Sequence, residues 1–277
     1  MAAAYKKAQS YLDKGTVRIR GTEAGQPMDH PVDYSVAFAR PNKLRLTVYR
    51  GSAVCDGQQF WAFAQHLPGQ VVQRPAPRQM TIRELFSDEL LMDAITQGPS
   101  MQLSWVPVPL LLLLADDPLK TLLYGAEKTQ LLEPAKLDDN VCDRVQIARL
   151  DGMAVLWIDR QSRVLRRLEL PIDEINRDAR TQNAEVQSIV AEFLDARLDA
   201  PVDPMAFQFE MPKDSQPREY LVMPPFLLLG RPAPDFTFAG LDGKKIDRKS
   251  LEGKIAVLDI WAVSYTHLRA HETVLDL

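Results

Sequence analysis

The chain has 277 residues, of which 46% are hydrophobic and 25% charged, with a formal net charge of −4. That balance suits a globular protein of one large or two modest domains, and a slightly acidic chain carries no electrostatic footprint for nucleic acid. The longest apolar run, Val106–Ala115, is interrupted by Pro107 and Pro109 and is about half the length a bilayer-crossing helix needs, so no membrane span is expected.

The N-terminus, MAAAYKKAQSYL, has no apolar core ahead of its lysines and is not read as a signal peptide. A first helix is predicted over about Ala2–Leu12, with Ala4, Ala8, Tyr11 and Leu12 on one stripe and Gly15 as its stop. Strand signals follow at Thr16–Arg20, Val32–Phe38 and Lys43–Tyr49, the last two joined by a turn-forming Arg-Pro-Asn. Ala53–Cys55 leads through Asp56-Gly57 into Gln59–Ala64. The pattern then turns helical at Thr81–Ile95, and Leu110–Leu123 reads as one or two short helices around Asp116-Asp117-Pro118. Strands resume at Lys128–Glu133, Cys142–Leu150, Met153–Ile158 and Val164–Leu170, while Asn183–Leu198 reads as a helix carrying Val186, Ile189, Val190, Phe193 and Leu194.

Strands, helices and strands again, linked by short turns, predict an α+β class: one large curved antiparallel sheet with covering helices. Pro212, Pro217, Pro224 and Pro225 mark residues 213–229 as a semi-rigid linker. The two cysteines, Cys55 and Cys142, form no Cys-x-x-Cys; they are a disulfide if the chain is exported, or two buried thiols if it is not.

Residues 1–212 resemble the LolA-like periplasmic lipoprotein-carrier superfamily. The resemblance rests on the N-terminal helix followed by Gly-Thr-Val-Arg-Ile, on Arg-Pro-Asn-Lys-Leu-Arg-Leu, and on Cys-Asp-Gly-Gln-Gln-Phe-Trp. It continues in Val-Leu-Trp-Ile-Asp-Arg-Gln-Ser-Arg-Val-Leu-Arg-Arg-Leu-Glu and in Phe207–Pro212 as a closing strand. Arg160 and Gln161 replace the proline and acid usual in the family's turn. The resemblance implies a half-barrel around an apolar cavity lidded by helices, and a lipid or lipoprotein as partner. Trp61, Phe63, Trp105, Leu110–Leu114 and Trp157 would contribute to its lining or to the core beneath the helices.

Residues 230–262 resemble the opening of a redoxin or thioredoxin-like domain of the TlpA type. Gly230-Arg231-Pro232-Ala233-Pro234-Asp235-Phe236 matches its Gly-x-x-Ala-Pro-x-Phe start, Leu241–Lys244 its hairpin turn, and Ile255–Ala262 its central strand. In that family a Cys-x-x-Cys follows, at a helix N-terminus that lowers the first thiol's pKa. Residues 263–277 contain no cysteine, and residues 230–277 are expected not to be a stable domain alone. Ser264–Thr273 resembles translated library adapter at the ends of reading frames from assembled short-read DNA, which makes the tail a non-native addition to a truncated parent. His267 and His271 fit no metalloprotease pattern, residue 268 being Leu.

The resulting expectation is a fragment of a periplasmic or cell-envelope thiol–disulfide oxidoreductase, with a LolA-like domain over 1–212, the linker 213–229 and a redoxin fragment over 230–262. Its partners would be a lipid or lipoprotein and, in the parent, a thiol redox partner. The alternatives are a non-enzymatic carrier and a fragment of a peroxiredoxin-like peroxidase. No residue is assigned a catalytic, cofactor-binding or metal-ligating role, and no cofactor is expected.

Overall fold

The computed structural model describes residues 1–96, 107–150, 152–173, 175, 176, 184–224, 230–233, 235–240, 243–253 and 256. Two compact units divide the chain after Val222.

The first unit is built on strands β1 (Ser10–Glu23), β2 (Gln26–Ala39), β3 (Lys43–Val48), β4 (Gly51–Cys55), β5 (Gln59–Ala64) and β6 (Gln70–Pro75). After five helices come β7 (Lys128–Leu137), β8 (Asn140–Arg149), β9 (Gly152–Asp159), β10 (Leu165–Glu169), β11 (Ala184–Phe193), β12 (Arg197–Leu198) and β13 (Gln216–Arg218). The helices are α1 (Ala2–Lys7), α2 (Ile82–Leu85), α3 (Glu89–Thr96), α4 (Val108–Leu114) and α5 (Pro118–Leu122). The strands join in one mixed sheet, in the order β13-β6-β5-β4-β3-β2-β1-β11-β10-β9-β8-β7, with β12 also on β1. Among the described residues every pairing is antiparallel except β13 on β6, which is parallel. The expectation of a wholly antiparallel sheet is corrected at that edge.

Alternation decides which face is covered. Tyr11, Val17 and Ile19 of β1, Tyr34, Val36 and Phe38 of β2, Leu44, Leu46 and Val48 of β3 and Phe60, Ala62 and Ala64 of β5 all enter one core, together with α3 and α4. In α4, Leu110, Leu112, Leu113 and Leu114 are all buried, each stabilising the fold by roughly 1.5–3 kcal/mol against exposure. A Cβ on Gly51 would stand 2.7 Å from Ile95 Cγ1, so the glycine lets α3 lie close on the sheet. The opposite face carries a smaller cluster, Cys142, Val155 and Trp157 with Leu132, Ala135 and Leu137 around it.

Two arginines satisfy carbonyls that helix ends leave orphaned. Arg40 Nη2 donates to Leu113 O in α4 at 3.0 Å and its Nε donates to Ala8 O at 2.9 Å. Arg149 donates to Leu122 O in α5. At the other ends, Thr81 and Asp117 accept from the amides of Glu84 and Lys120 as N-caps, a pairing worth about 1 kcal/mol each.

The structure departs from the sequence reading at four places. The first helix stops at Lys7, and Tyr11 and Leu12 belong to β1, where pairing with β2 and β12 outweighs helical periodicity. The predicted helix Thr81–Ile95 is two helices, broken where Asp88 accepts Leu91 N and starts α3. Residues 184–198 are strands, not a helix. A bulge opposite Arg20 and Gly21 leaves Gln187 without a partner on β1, so buried Val186 and Ile189 fall three apart and imitate a helical stripe. Pro204–Phe207 is a 3-10 turn and residues 208–212, expected as a closing strand, form none.

In the second unit, β14 (Thr237–Ala239) and β15 (Lys245–Asp247) pair antiparallel, followed by a 3-10 turn at Lys249–Leu251. Phe236 and Phe238 touch at 5.3 Å. The expected thioredoxin-like α/β fragment is not what the described residues form: they make a hairpin with largely exposed side chains. The central strand expected over 255–262, except Ala256, and the tail 263–277 lie outside the described residues.

Candidate functional site

Two hollows of the first unit bear on function. One lies on the helix-covered face, where α4 meets the middle of the sheet. A cavity of about 30 Å³ is lined there by Val17, Tyr34, Val48, Tyr49, Pro107, Val108, Leu168, Leu170, Ala191 and Phe193, so strands β1, β2, β3, β10 and β11 all reach it. That is room for about one water-sized group. Every lining side chain but the two tyrosines is wholly apolar.

The tyrosines are held differently. Tyr34 Oη donates to Asp13 Oδ2 at 2.5 Å, and Tyr11 Oη donates to the same oxygen at 2.9 Å. Asp13 is only 3% exposed, and its Oδ1 has no hydrogen-bond partner among the described residues. Burial pushes the Asp13 carboxyl up to about 6, against the pull of the two tyrosine hydroxyls. Tyr49 occupies the first loop position of the β3–β4 hairpin with φ at 49°, a backbone that glycine, asparagine or aspartate adopts most readily. Its hydroxyl makes no hydrogen bond among the described residues, and burial alone raises it to about 12. The next residue ties the turn to α3, Arg50 N donating to Ala94 O at 3.1 Å.

The second hollow, about 580 Å³, is an open groove on the opposite face. Arg45, Thr47, Ser52, Val54 and Phe63 form its floor, and residues 205–212 pass over it. Trp61 and Phe209 stack at 5.2 Å, and Arg45 Nη1 donates to Gln208 O at 2.8 Å, fixing that segment.

The side chains expected to line an apolar cavity are therefore scattered. Phe63 lines the open groove, and Trp61 stacks on Phe209 of its covering segment. Trp157 lies in the small cluster, between the guanidinium groups of Arg144 and Arg167 at 4.6 and 5.3 Å, with its Nε1 donating to Glu169. Leu110, Leu112, Leu113 and Leu114 are core, and Trp105 lies outside the described residues. The residues that do line the cavity carried one signal, alternation, which marks a buried face without marking a hollow behind it.

Both cysteines are free and buried. Cys55 is in the main core and Cys142 in the small cluster, and burial raises both thiols, with the Asp56 and Asp159 charges respectively adding to the effect. A redox thiol needs the opposite, an accessible group with a lowered pKa. Among the described residues no three His, Cys, Asp or Glu side chains gather as a metal site.

A family described as "Predicted periplasmic protein (DUF2092)" matches residues 1–218. The chain is also similar to a DUF1329 family protein from Desulfovibrio piger, at 9% identity and a TM-score of 0.30, over 75% of this chain and 92% of that one. It is similar to LprF from Mycobacterium bovis, at 11% identity and 0.33, over 73% and 90%. A third likeness is to the LolA superfamily protein NE2245 from Nitrosomonas europaea, at 12% identity and 0.25, over 75% and 94%. These three scores are too low to establish a shared fold. No curated protein matches the chain.

The oxidoreductase expectation is corrected by these findings. The family that takes up residues 1–218 is one of periplasmic proteins, and the only thiols in the chain are sequestered. The thioredoxin-like and peroxidase readings fall together, and with them the thiol redox partner. The periplasmic location stands. With its family matched across the whole mixed sheet and its covering helices, the chain belongs to the DUF2092 family of predicted periplasmic proteins.

Proposed function

We propose that this protein is a non-enzymatic periplasmic carrier that holds the acyl part of a lipid or lipoprotein between its sheet and helix α4. The observation that carries this reading is the seam itself. Val17, Val48, Leu168, Leu170, Ala191 and Phe193, from four strands and the residue after one of them, face Val108 of α4 across a void. Apolar surface from both sides is thus available to a chain that wedges them apart, each buried CH₂ being worth about 0.8 kcal/mol.

The closed cavity holds far less than an acyl chain, so loading requires α4 to move away from the sheet. Its hold is local. Arg40 grips the C-terminal end of α4, and α4 otherwise rests on leucine contacts that an acyl chain replaces in kind. Such a site binds by shape and area rather than by chemistry, which suits a carrier and needs no catalytic group.

The reading is tested by purifying the full chain from a periplasm and extracting it for lipid, with native mass spectrometry of the same sample. Bound acyl lipid near one per chain is the expected result. A lipid-free protein that also fails to take up N-phenyl-1-naphthylamine would reject the carrier reading.

A further inference from the structure

We propose that the Tyr49 hydroxyl is the polar anchor of this seam and donates a hydrogen bond to the ester carbonyl of the bound acyl chain. The inference rests on the carrier reading and names the chemistry its ligand must present.

The cavity wall contains two phenols with unlike fates. Tyr34 has spent its proton on Asp13, at 2.5 Å. Tyr49 has no acceptor among the described residues, although burial holds its proton firmly on the oxygen. A neutral, undissociated donor inside an apolar wall can do one thing for a ligand, which is to meet an acceptor oxygen. Tyr49 is only half-buried, and once a bound chain covers its hydroxyl, leaving it unmet costs about 1–3 kcal/mol. Void and donor match in size, since about 30 Å³ beside Tyr49 admits a single small group.

The position is also held. Tyr49 sits in a left-handed conformation at a two-residue turn, where an aromatic residue costs about 1 kcal/mol relative to glycine. Strain of this kind survives where the surroundings enforce it. Arg50 N to Ala94 O on one side and Gln65 N to Arg50 O at 2.7 Å on the other do so here. Gly51 completes the clamp by admitting Ile95 of α3. The turn thereby presents the ring to the cavity without depending on α4, so the anchor stays in place when α4 lifts.

An ester carbonyl is favoured over a carboxylate or phosphate as the acceptor. Among the described residues no cationic side chain lines the cavity, so an anionic group would be buried there without a counter-charge. Acylated glycerol supplies a neutral acceptor at the head of an apolar chain, in phospholipids and in S-acylglyceryl peptides alike.

The test compares two lysophospholipids that differ only in that carbonyl, 1-palmitoyl and 1-hexadecyl lysophosphatidylcholine below their micellar concentrations. Each displaces N-phenyl-1-naphthylamine from the full-length protein and from Tyr49→Phe, which keeps the ring and removes the hydroxyl. The wild type is expected to prefer the acyl form by about 3–10-fold, the range of one hydrogen bond. Tyr49→Phe is expected to lose that preference and bind the alkyl form as the wild type does. A diacylglyceryl-cysteine peptide titrated alongside shows which source of acyl ester binds tighter, and Tyr49→Phe weakens either one. Equal binding of acyl and alkyl forms, unchanged in the variant, overturns the anchor and leaves the carrier. Failure of every probe to bind overturns both. A thermal melt of Tyr49→Phe that matches the wild type excludes misfolding as the cause of any loss.

Discussion

Tyr34 and Phe193 belong to strands on either side of β1, yet their rings meet edge to face with centroids 5.9 Å apart. Strands two apart in a sheet are separated by about 9.6 Å, so the rings close that distance by leaning over the residue between them. That residue is Gly15, paired with Tyr34 on one side and Phe193 on the other. The absent side chain shapes one wall of the cavity.

Gly15→Ala is therefore expected to be costly. A Cβ there would stand 2.4 Å from the Tyr34 ring and 2.2 Å from Glu192 O. The ring can swing but the backbone oxygen cannot, and overpacking of this kind destabilises by about 1–3 kcal/mol or more. The urea midpoint of Gly15→Ala should fall well below that of the wild type. Gly25→Ala, where nothing lies within 4 Å of the new atom, loses only what its positive φ demands, about 1 kcal/mol.

Asp13 should make stability depend on pH in a direction opposite to an exposed carboxylate. Its pKa is raised from 3.8 to about 6, by burial first. Between those values the folded chain holds a proton that the unfolded chain has released, so stability falls as pH rises through the window. The contribution is whole below the unfolded pKa and gone above about 6, a swing on the order of 2–3 kcal/mol. Asp13→Asn keeps a carbonyl to accept from Tyr11 and Tyr34 and cannot ionise. The stability of Asp13→Asn relative to the wild type should accordingly rise between pH 4 and 6.5 and then level off. A difference that stays flat across that range would show Asp13 ionising at its ordinary value.

Much of the sheet was legible because its strands are half-buried and alternate cleanly. Gln59–Ala64 is a strand over the residues read from sequence, and Asp56-Gly57 is the turn before it, with Asp56 accepting from Gln58 and Gln59 amides. Reading failed where periodicity was broken by pairing. Val186 and Ile189 looked helical because the bulge at Gln187 of β11 shows only in its pairing with β1, which one strand's residues do not reveal. The cavity was illegible for a related reason. Trp61, Phe63 and Trp157 drew attention by size but point to the face away from α4, while Ala191 and Val48 are ordinary core residues until neighbouring strands bring them together. Tyr49 carried a faint signal, an aromatic residue at a turn position that usually wants glycine.

The cysteines should behave as inert thiols in spite of the oxidising compartment. Cys55 and Cys142 are buried in separate clusters, and burial raises the pKa of each. In native buffer at pH 8 a thiol reagent such as 5,5′-dithiobis(2-nitrobenzoate) should modify neither, and in guanidinium both. Two equivalents under denaturing conditions without reductant confirm free thiols, whereas none would reveal a disulfide. Cys55→Ala should cost more than Cys142→Ala, because its site in the main core has less freedom to collapse.

Asp88 ties the end of the first unit to its middle, and its removal should release a defined stretch of chain. Its Oδ1 accepts from Leu91 N at the start of α3, and its Oδ2 accepts from Leu221 N at 2.6 Å, a contact across the long span from α3 to the segment after β13. Asp88 and Leu221 are both buried, so Asp88→Ala removes a cap, about 1 kcal/mol, and strands a buried amide, about 1–3 kcal/mol more. The expected total is about 2–4 kcal/mol by urea unfolding. Asp117→Ala, which removes an exposed cap from α5, supplies the control at about 1 kcal/mol. The two variants should differ in kind as well as size. Gln216–Arg218 lies parallel on β6, and Gln70 holds Val222 through both its amide atoms. With Leu221 unpinned, this short parallel pairing loses its nearest buried anchor. Trypsin should then cleave after Arg218 faster in Asp88→Ala than in the wild type under native conditions, and no faster in Asp117→Ala. Equal cleavage in all three would show that the edge strand holds by its own hydrogen bonds and that Asp88 serves only α3.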